Sequence, residues 1–178
     1  MAVSAKTILE FHRKRTQAHI DCLNYFAGLL GYHFPEHDND KNSGTIQNGY
    51  AYINYANYHP ECHLTDAHRD LYEHAHSEHH RTQPHHIEHY PDVCNLPDLT
   101  IIEMVCDWHS ANFEQIFILH QIPPTSSVQL FFDTNLRSRS DLHWTDHQIA
   151  LITELTSFLD LYTDFDAVMD IWRPLLAL

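Results

Sequence analysis

Apolar residues recur at intervals of three and four along most of this sequence, which places them on one face of an α-helix. The first such stripe contains Leu23, Phe26 and Leu30. Only 4 glycines occur in 178 residues, and the 8 prolines fall mostly between the periodic segments. We therefore predict an all-α fold, and a chain of this length is most simply one helical domain, residues 1–178, with its own core.

Local signals indicate where these helices begin and end. Ser4 is expected to cap the first helix, and Gly31 is expected to end it. A histidine-rich helix is predicted from about Asp66 to Arg81, and another helix begins at Asp98. We expect residues 130–144 to be irregular. One or two amphipathic helices at about residues 145–173 would complete the core or form a contact in a homo-oligomer.

The acidic side chains outnumber the basic ones by 24 to 10, which gives a net charge of −14 with histidine neutral. Such a field repels phosphate backbones and anionic lipids, so we expect neither a nucleic acid polymer nor a membrane as a partner. A small nucleotide or other phosphoester stays compatible, because bound divalent cations reverse the local sign. No stretch approaches the ~20 apolar residues of a membrane span, and the N-terminus lacks the apolar core of a signal peptide, so we expect a cytoplasmic protein.

Histidine is unusually frequent, with 18 residues, and it is most concentrated between Tyr72 and Tyr90. Pro84 separates one part of that stretch from the pair His85 and His86. Imidazole at this density is rarely needed for packing, whereas it is a common ligand of Zn, Mn, Fe and Ni. The stretch therefore predicts a metal site, and the alternative is a histidine-rich surface helix or a metal-sequestering tract.

Further candidate ligands lie far from this stretch. His19 falls on the inward stripe of the first helix, where a lone histidine is most often a satisfied core residue. His37 and Asp38 are adjacent, so on a helix end they diverge by about 100° and can reach two neighbouring metals, or one metal from two sides. Lys41 follows within one turn. The competing interpretation of this segment is an acidic polar loop.

The helix that begins at Asp98 supplies two candidate carboxylates. Its predicted buried stripe consists of Ile102, Val105, Cys106, His109 and Phe113. Glu103 and Asp107 lie four residues apart on a face beside that stripe. A carboxylate in this position is costly unless it is paired or bound to metal. Asp107 is therefore the best carboxylate candidate besides Asp38.

In chain order the candidates read H...HD...H...H...D, an order that resembles the HD-domain superfamily of metal-dependent phosphohydrolases. More narrowly, HDNDKNS, the H-x5-H-H spacing of His79 to His86, and EMVCDW are similar to a small bacterial and phage family. That family has the motifs H-D-x-S-K, H-x3-N-x-H-H and E-M-x-x-D-W. Asp40 and Gln83 stand where it has Ser and Asn, and Asp40 would add negative charge on the phosphate side of the site.

The resemblance implies an HD-like helical bundle whose metal-site core covers about residues 15–115. It also implies two divalent cations, from among Mn, Fe, Zn, Ni, Co and Mg. The first cation would be held by His19, His37, Asp38 and Asp107. The second would be bridged by Asp38 and held by His79 and one of His85 and His86.

The same resemblance assigns catalytic roles. Asp38 would bridge the cations, and Lys41 would neutralise charge on the transferred phosphoryl group. Glu103, or a spare imidazole such as His76, would orient a ligand or protonate the leaving group. We therefore expect a phosphohydrolase that acts on a nucleotide or other small phosphoester. The alternatives are a di-iron oxygenase with the same ligand order and a non-catalytic metal-binding protein.

Overall fold

The computed structural model describes residues 3–177, and within this range it is all-helical, with seven α-helices and no strand. This confirms the predicted fold class. The helices are α1 (Ala5–Leu29), α2 (Gly44–Tyr58), α3 (Asp66–Thr82), α4 (Asp98–Phe113), α5 (Val128–Phe131), α6 (Asp146–Tyr162) and α7 (Phe165–Leu176). Short 3-10 turns occur at Asn39–Asn42, Ile87–His89 and Val93–Asn95.

Helix α1 is the centre of the bundle and packs against α2, α4, α6 and α7. Its start and end follow the predicted signals. The Ser4 Oγ accepts a hydrogen bond from the Thr7 N–H at 3.1 Å, and Gly31 adopts φ +82°, a left-handed conformation that favours glycine. Leu23 and Phe26 on its predicted stripe are buried. The core therefore forms around the face that the periodicity indicates.

Helices α2 and α3 lie against each other as an antiparallel pair that Gly49 allows to come very close. A side chain at Gly49 would collide with the side chain of Ala75 and with the backbone carbonyl of Leu71. Because Gly49 has no Cβ, α3 settles directly onto α2. This close approach brings the last turns of α3, with their histidines, beside the 3-10 turn that follows Asp38.

Helix α4 carries the predicted buried stripe and then changes its winding. All of its predicted core positions are buried: Ile102, Val105, Cys106, His109 and Phe113. After Phe113 the chain continues as a π-helical turn, Glu114–Ile118. Such turns often occur at functional sites because they redirect side chains within a helix. Here the turn begins with Glu114, a carboxylate that is 2% exposed.

The prediction that residues 130–144 are irregular is wrong for the first half of that segment. Helix α5 runs directly into a π-helical turn at Phe132–Arg137. Phe132 and Leu136 are four residues apart and buried, so the two apolar side chains anchor a helical segment within a polar sequence. Ser127 caps it by accepting from the Leu130 N–H at 3.1 Å.

The C-terminal prediction of one or two helices resolves into α6 and α7. Their apolar side chains complete the common core, with Ile152, Leu159, Val168 and Trp172 fully buried. In the range 3–177, none of the helices combines the length and the apolarity that crossing a bilayer requires.

Candidate metal centre

Asp38 lies at the centre of the predicted site and is fully buried. Its backbone has φ 57°, a left-handed conformation that is uncommon outside glycine and that concentrates at functional sites. Its two carboxylate oxygens face different histidines. Oδ2 lies 3.6 Å from His19 Nε2 and 3.8 Å from His37 Nε2. Oδ1 lies 3.2 Å from His79 Nε2 and 3.6 Å from His85 Nε2.

The first ligand group, on the Oδ2 side, consists of His19, His37, Asp38 and Asp107. Asp107 Oδ1 lies 2.9 Å from His19 Nε2 and 3.8 Å from His37 Nε2. The facing atoms of His19, His37 and Asp107 are all within 4.8 Å of one another, a spacing that one cation can span. Helices α1 and α4 and the segment before the 3-10 turn thus contribute to a single point.

The second ligand group, on the Oδ1 side, consists of Asp38, His79, His85 and His86. His79 Nε2 and His86 Nε2 are 2.9 Å apart, and the facing atoms of His79, His85 and His86 lie within 4.8 Å of one another. The sequence left open which of His85 and His86 is a ligand. The structure brings both together with His79, because Pro84 turns the chain back after α3.

Imidazoles in both groups have a polar side chain behind them at Nδ1. His37 Nδ1 lies 3.0 Å from Glu103 Oε1, and the same oxygen is 3.6 Å from His85 Nδ1. Behind His79, Nδ1 is 2.8 Å from Asp40 Oδ2. A carboxylate behind a metal-binding imidazole fixes its tautomer and its orientation. The arrangement turns Nε2 of His37, His79 and His85 towards Asp38.

Two of the residues that hold these rings were not predicted from the sequence in this role. Asp40, expected to add charge on the phosphate side, instead lies behind His79. Ser110 Oγ is 3.0 Å from Nδ1 of His19, a contact that the sequence did not predict. Its position three residues after Asp107 on α4 was the available signal, since residues at that spacing share a helix face.

Several polar atoms at the centre have no protein partner among residues 3–177. The buried atoms His37 Nε2, Asp38 Oδ1 and His85 Nε2 make no hydrogen bond. An unpaired buried donor or acceptor is costly, so such atoms are expected to have a partner of another kind. Imidazole nitrogens and carboxylate oxygens that converge in this way suit divalent transition metals. The donor set therefore fits two cations that share Asp38.

The pKa values of the first ligand group depend on burial and on the contacts among its side chains. Burial alone would raise the pKa of Asp38, but Lys41 and His37 outweigh it and hold the pKa well below its usual range. His19 and His37 similarly hold the pKa of Asp107 low against its burial. Burial would lower the pKa of His37, but the carboxylates around it, Asp38 first, raise it to about 10. Burial lowers the pKa of His19 despite its contact with Asp107.

Lys41 and Glu103, both expected to be catalytic, are placed differently. Lys41 Nζ donates to Asp38 Oδ2 at 2.8 Å and lies 4.9 Å from the centre of the Tyr50 ring. Lys41 also borders a cavity of 220 Å³ beside the first ligand group. Its other N–H donors are therefore close to the space that a bound molecule would occupy. Glu103 is absent from that cavity's lining. Its position behind His37 supports the orienting role and not the role of leaving-group acid.

His12 holds the backbone of Lys41 through a hydrogen bond that the sequence did not reveal. Burial lowers the pKa of His12 to about 4, so the ring is neutral at pH 7. Its Nδ1 accepts from the Asn54 amide at 2.9 Å, and its Nε2 therefore donates to the Lys41 carbonyl at 2.8 Å. The backbone of the 3-10 turn is thus fixed to α1.

A cavity of 220 Å³ opens beside the first ligand group. His19, Lys41 and Asp107 border it on the side of the first ligand group. Its other walls include Tyr50, Tyr58, Tyr72, His76, Arg15 and Glu114. Cavities of 310 and 440 Å³ lie elsewhere, but their linings contain none of the proposed ligands. The chemistry of the lining, and not the size, therefore indicates the 220 Å³ cavity as the ligand pocket.

Residues 9–160 match the family model described as "Family of unknown function (DUF5662)". The chain belongs to this family. Neither a curated protein nor a solved structure matches it.

The part of the chain that defines DUF5662 membership contains the whole candidate site. Both ligand groups, the residues behind them and the lining of the 220 Å³ cavity fall within residues 9–160. Helix α7 lies outside the matched range. The DUF5662 match therefore covers the helices that carry the candidate site.

Proposed function

We propose that this protein is a metal-dependent phosphohydrolase that acts on a small phosphoester, nucleoside monophosphates included. Two divalent cations would be held by the first and second ligand groups, with Asp38 shared. The observation that carries the proposal is the division of the histidines between the two oxygens of Asp38. A carboxylate in that position can bridge two cations, which is the arrangement of many phosphoryl-transfer sites.

The side chains around Asp38 have distinct tasks in this proposal. When bound, two cations would lower the pKa of a water towards neutrality and neutralise the phosphoryl oxygens. Glu103, Asp40 and Ser110 hold the imidazoles so that Nε2 faces the centre. Lys41 contributes a positive charge at the border of the cavity, where a phosphoryl group would develop negative charge.

Two further observations support the proposal. The order of the ligands along the chain resembles that of the HD-domain phosphohydrolases. The cavity next to the first ligand group also has room for the remainder of a small ester. Mixed imidazole and carboxylate ligands suit Mn, Fe, Co, Ni and Zn, and Mg suits the carboxylates best.

The test is metal analysis of protein purified without a histidine tag, followed by a panel of phosphoesters with each metal in turn. We expect two equivalents of metal per chain and metal-dependent release of phosphate. Stoichiometric iron with visible absorbance and no phosphate release would instead favour an oxygenase. Weak binding of many metal ions without turnover would favour a sequestering protein.

A further inference from the structure

A buried ion pair forms part of the wall of the 220 Å³ cavity. Arg15 on α1 donates through Nε to Glu114 Oε1 at 2.9 Å, and its Nη2 donates to Glu114 Oε2. The side chains are 15% and 3% exposed, respectively. Tyr58 donates to the same carboxylate at 2.8 Å. Glu114 therefore has three donors, all from protein, and is held firmly in place.

The Arg15–Glu114 pair sets the charge of the part of the cavity wall that is remote from the two ligand groups. Burial would raise the pKa of Glu114, but Arg15 outweighs it and keeps the pKa below its ordinary value, so the carboxylate is ionised. The charge of Arg15 is thereby neutralised within the wall. Lys41, the other cation bordering this cavity, already donates to Asp38. No lysine or arginine is left unpaired along this lining to receive a second anionic group.

The Arg15–Glu114 pair lies where the part of a substrate beyond its phosphoryl group would bind. Arg15 precedes the ligand His19 by four residues on α1, which is about one helical turn or roughly 5–6 Å along the axis. Four amide side chains also line the cavity, those of Asn54, Asn57, Gln115 and Gln121. Amides donate and accept without charge, so they complement hydroxyl groups.

We propose that Glu114 restricts the site to phosphomonoesters whose remaining part is uncharged and carries hydroxyl groups. The class includes sugar, polyol and nucleoside monophosphates and excludes esters with a second anionic group near the first. The inference rests on the proposed function and deepens it. Its physical basis is that Glu114 occupies Arg15, so the wall offers no free cation to offset the cost of desolvating a second anionic group.

The sharpest test uses two small esters that differ only at one end. Glycerol 3-phosphate ends in a hydroxymethyl group, and 3-phosphoglycerate ends in a carboxylate. Wild-type protein loaded with metal should hydrolyse glycerol 3-phosphate with at least tenfold higher kcat/KM. Equal kcat/KM for the two esters, or a preference for 3-phosphoglycerate, overturns the inference and leaves the proposed function intact. Hydrolysis of no phosphoester overturns the proposed function, and this inference with it.

Two variants assign the discrimination to the ion pair. Glu114→Gln keeps the shape and frees Arg15, so the preference should move towards 3-phosphoglycerate by on the order of tenfold to a hundredfold, the range of a charge-assisted hydrogen bond. The matched double variant R15M/E114Q removes both charges and should not gain this preference. An unchanged ratio in Glu114→Gln overturns the inference. If Glu114→Gln does not fold, the wild-type comparison decides.

A measurement without turnover completes the test. In metal-free protein, sulfate should raise the melting temperature of Glu114→Gln more than chloride at equal ionic strength does, because the freed Arg15 binds the anion. Wild type and R15M/E114Q should show only the smaller, general effect of sulfate. Equal sulfate effects in all three proteins would show that Arg15 is not released into the cavity, and would overturn the inference.

Discussion

Metal binding should displace a proton from His37. In the metal-free protein the pKa of His37 is about 10, whereas burial keeps His19 neutral and the partner carboxylates are ionised. At pH 8, two pH units below that pKa, about 99% of His37 is protonated. A coordinating imidazole must be neutral, so the proton has to leave before His37 can bind a cation.

The magnitude follows from the same pKa. Removing the proton at pH 8 costs roughly 3 kcal/mol, and the apparent affinity of the first ligand group should rise about tenfold per pH unit from pH 7 to pH 10. The metal-free fold responds in the opposite sense. The pKa of His37 is raised from its ordinary 6.5, so its protonation stabilises the fold fully below pH 6.5, and that contribution is lost as pH rises through 10. Its size is on the order of 5 kcal/mol.

The assay is isothermal titration calorimetry of metal-free protein at pH 8 in buffers with different ionisation enthalpies. The dependence of the heat on the buffer gives the number of protons released, and we expect at least one per chain. Glu103→Gln removes the carboxylate 3.0 Å from His37 Nδ1, so it should lower the pKa of His37 and release fewer protons. A binding heat that does not depend on the buffer would refute the reasoning.

Three other outcomes follow from the site. Chelation should lower the melting temperature, because a thousandfold excess of metal over its dissociation constant stabilises the fold by ~4 kcal/mol; an unchanged melting curve would count against a site built from several helices. Asp38→Asn should lose metal and activity, whereas His63→Ala should keep both; His68 is a poorer control, since it stacks on Tyr52 at 4.0 Å. Equal metal loss in Asp38→Asn and His63→Ala would indicate a sequestering tract. Lys41→Met should keep its metal and lose a hundred- to a thousandfold in turnover, measured on one preparation.

The sequence by itself determined the all-α fold class, the start and end of α1 and the set of candidate ligands. Helix formation follows local rules, so the three- and four-residue periodicity, the Ser4 cap and Gly31 predicted α1 closely. The candidate ligands were identified by their chemistry, because buried imidazoles and carboxylates have few uses besides pairing and metal binding. Where local signals were weak, as in the polar segment at Phe132–Arg137, the prediction failed.

Only the tertiary structure decided how these side chains face one another. The two oxygens of Asp38 face different histidines, and Asp38 has a left-handed backbone that no local pattern predicted. The close approach of α2 and α3 at Gly49 places His79 against Asp38, and the π-helical turn after α4 aims Glu114 at Arg15. Arg15 and Glu114 are 99 residues apart. Contacts over such separations depend on how whole helices pack, and periodicity within one helix carries no information about the rotation of its neighbour.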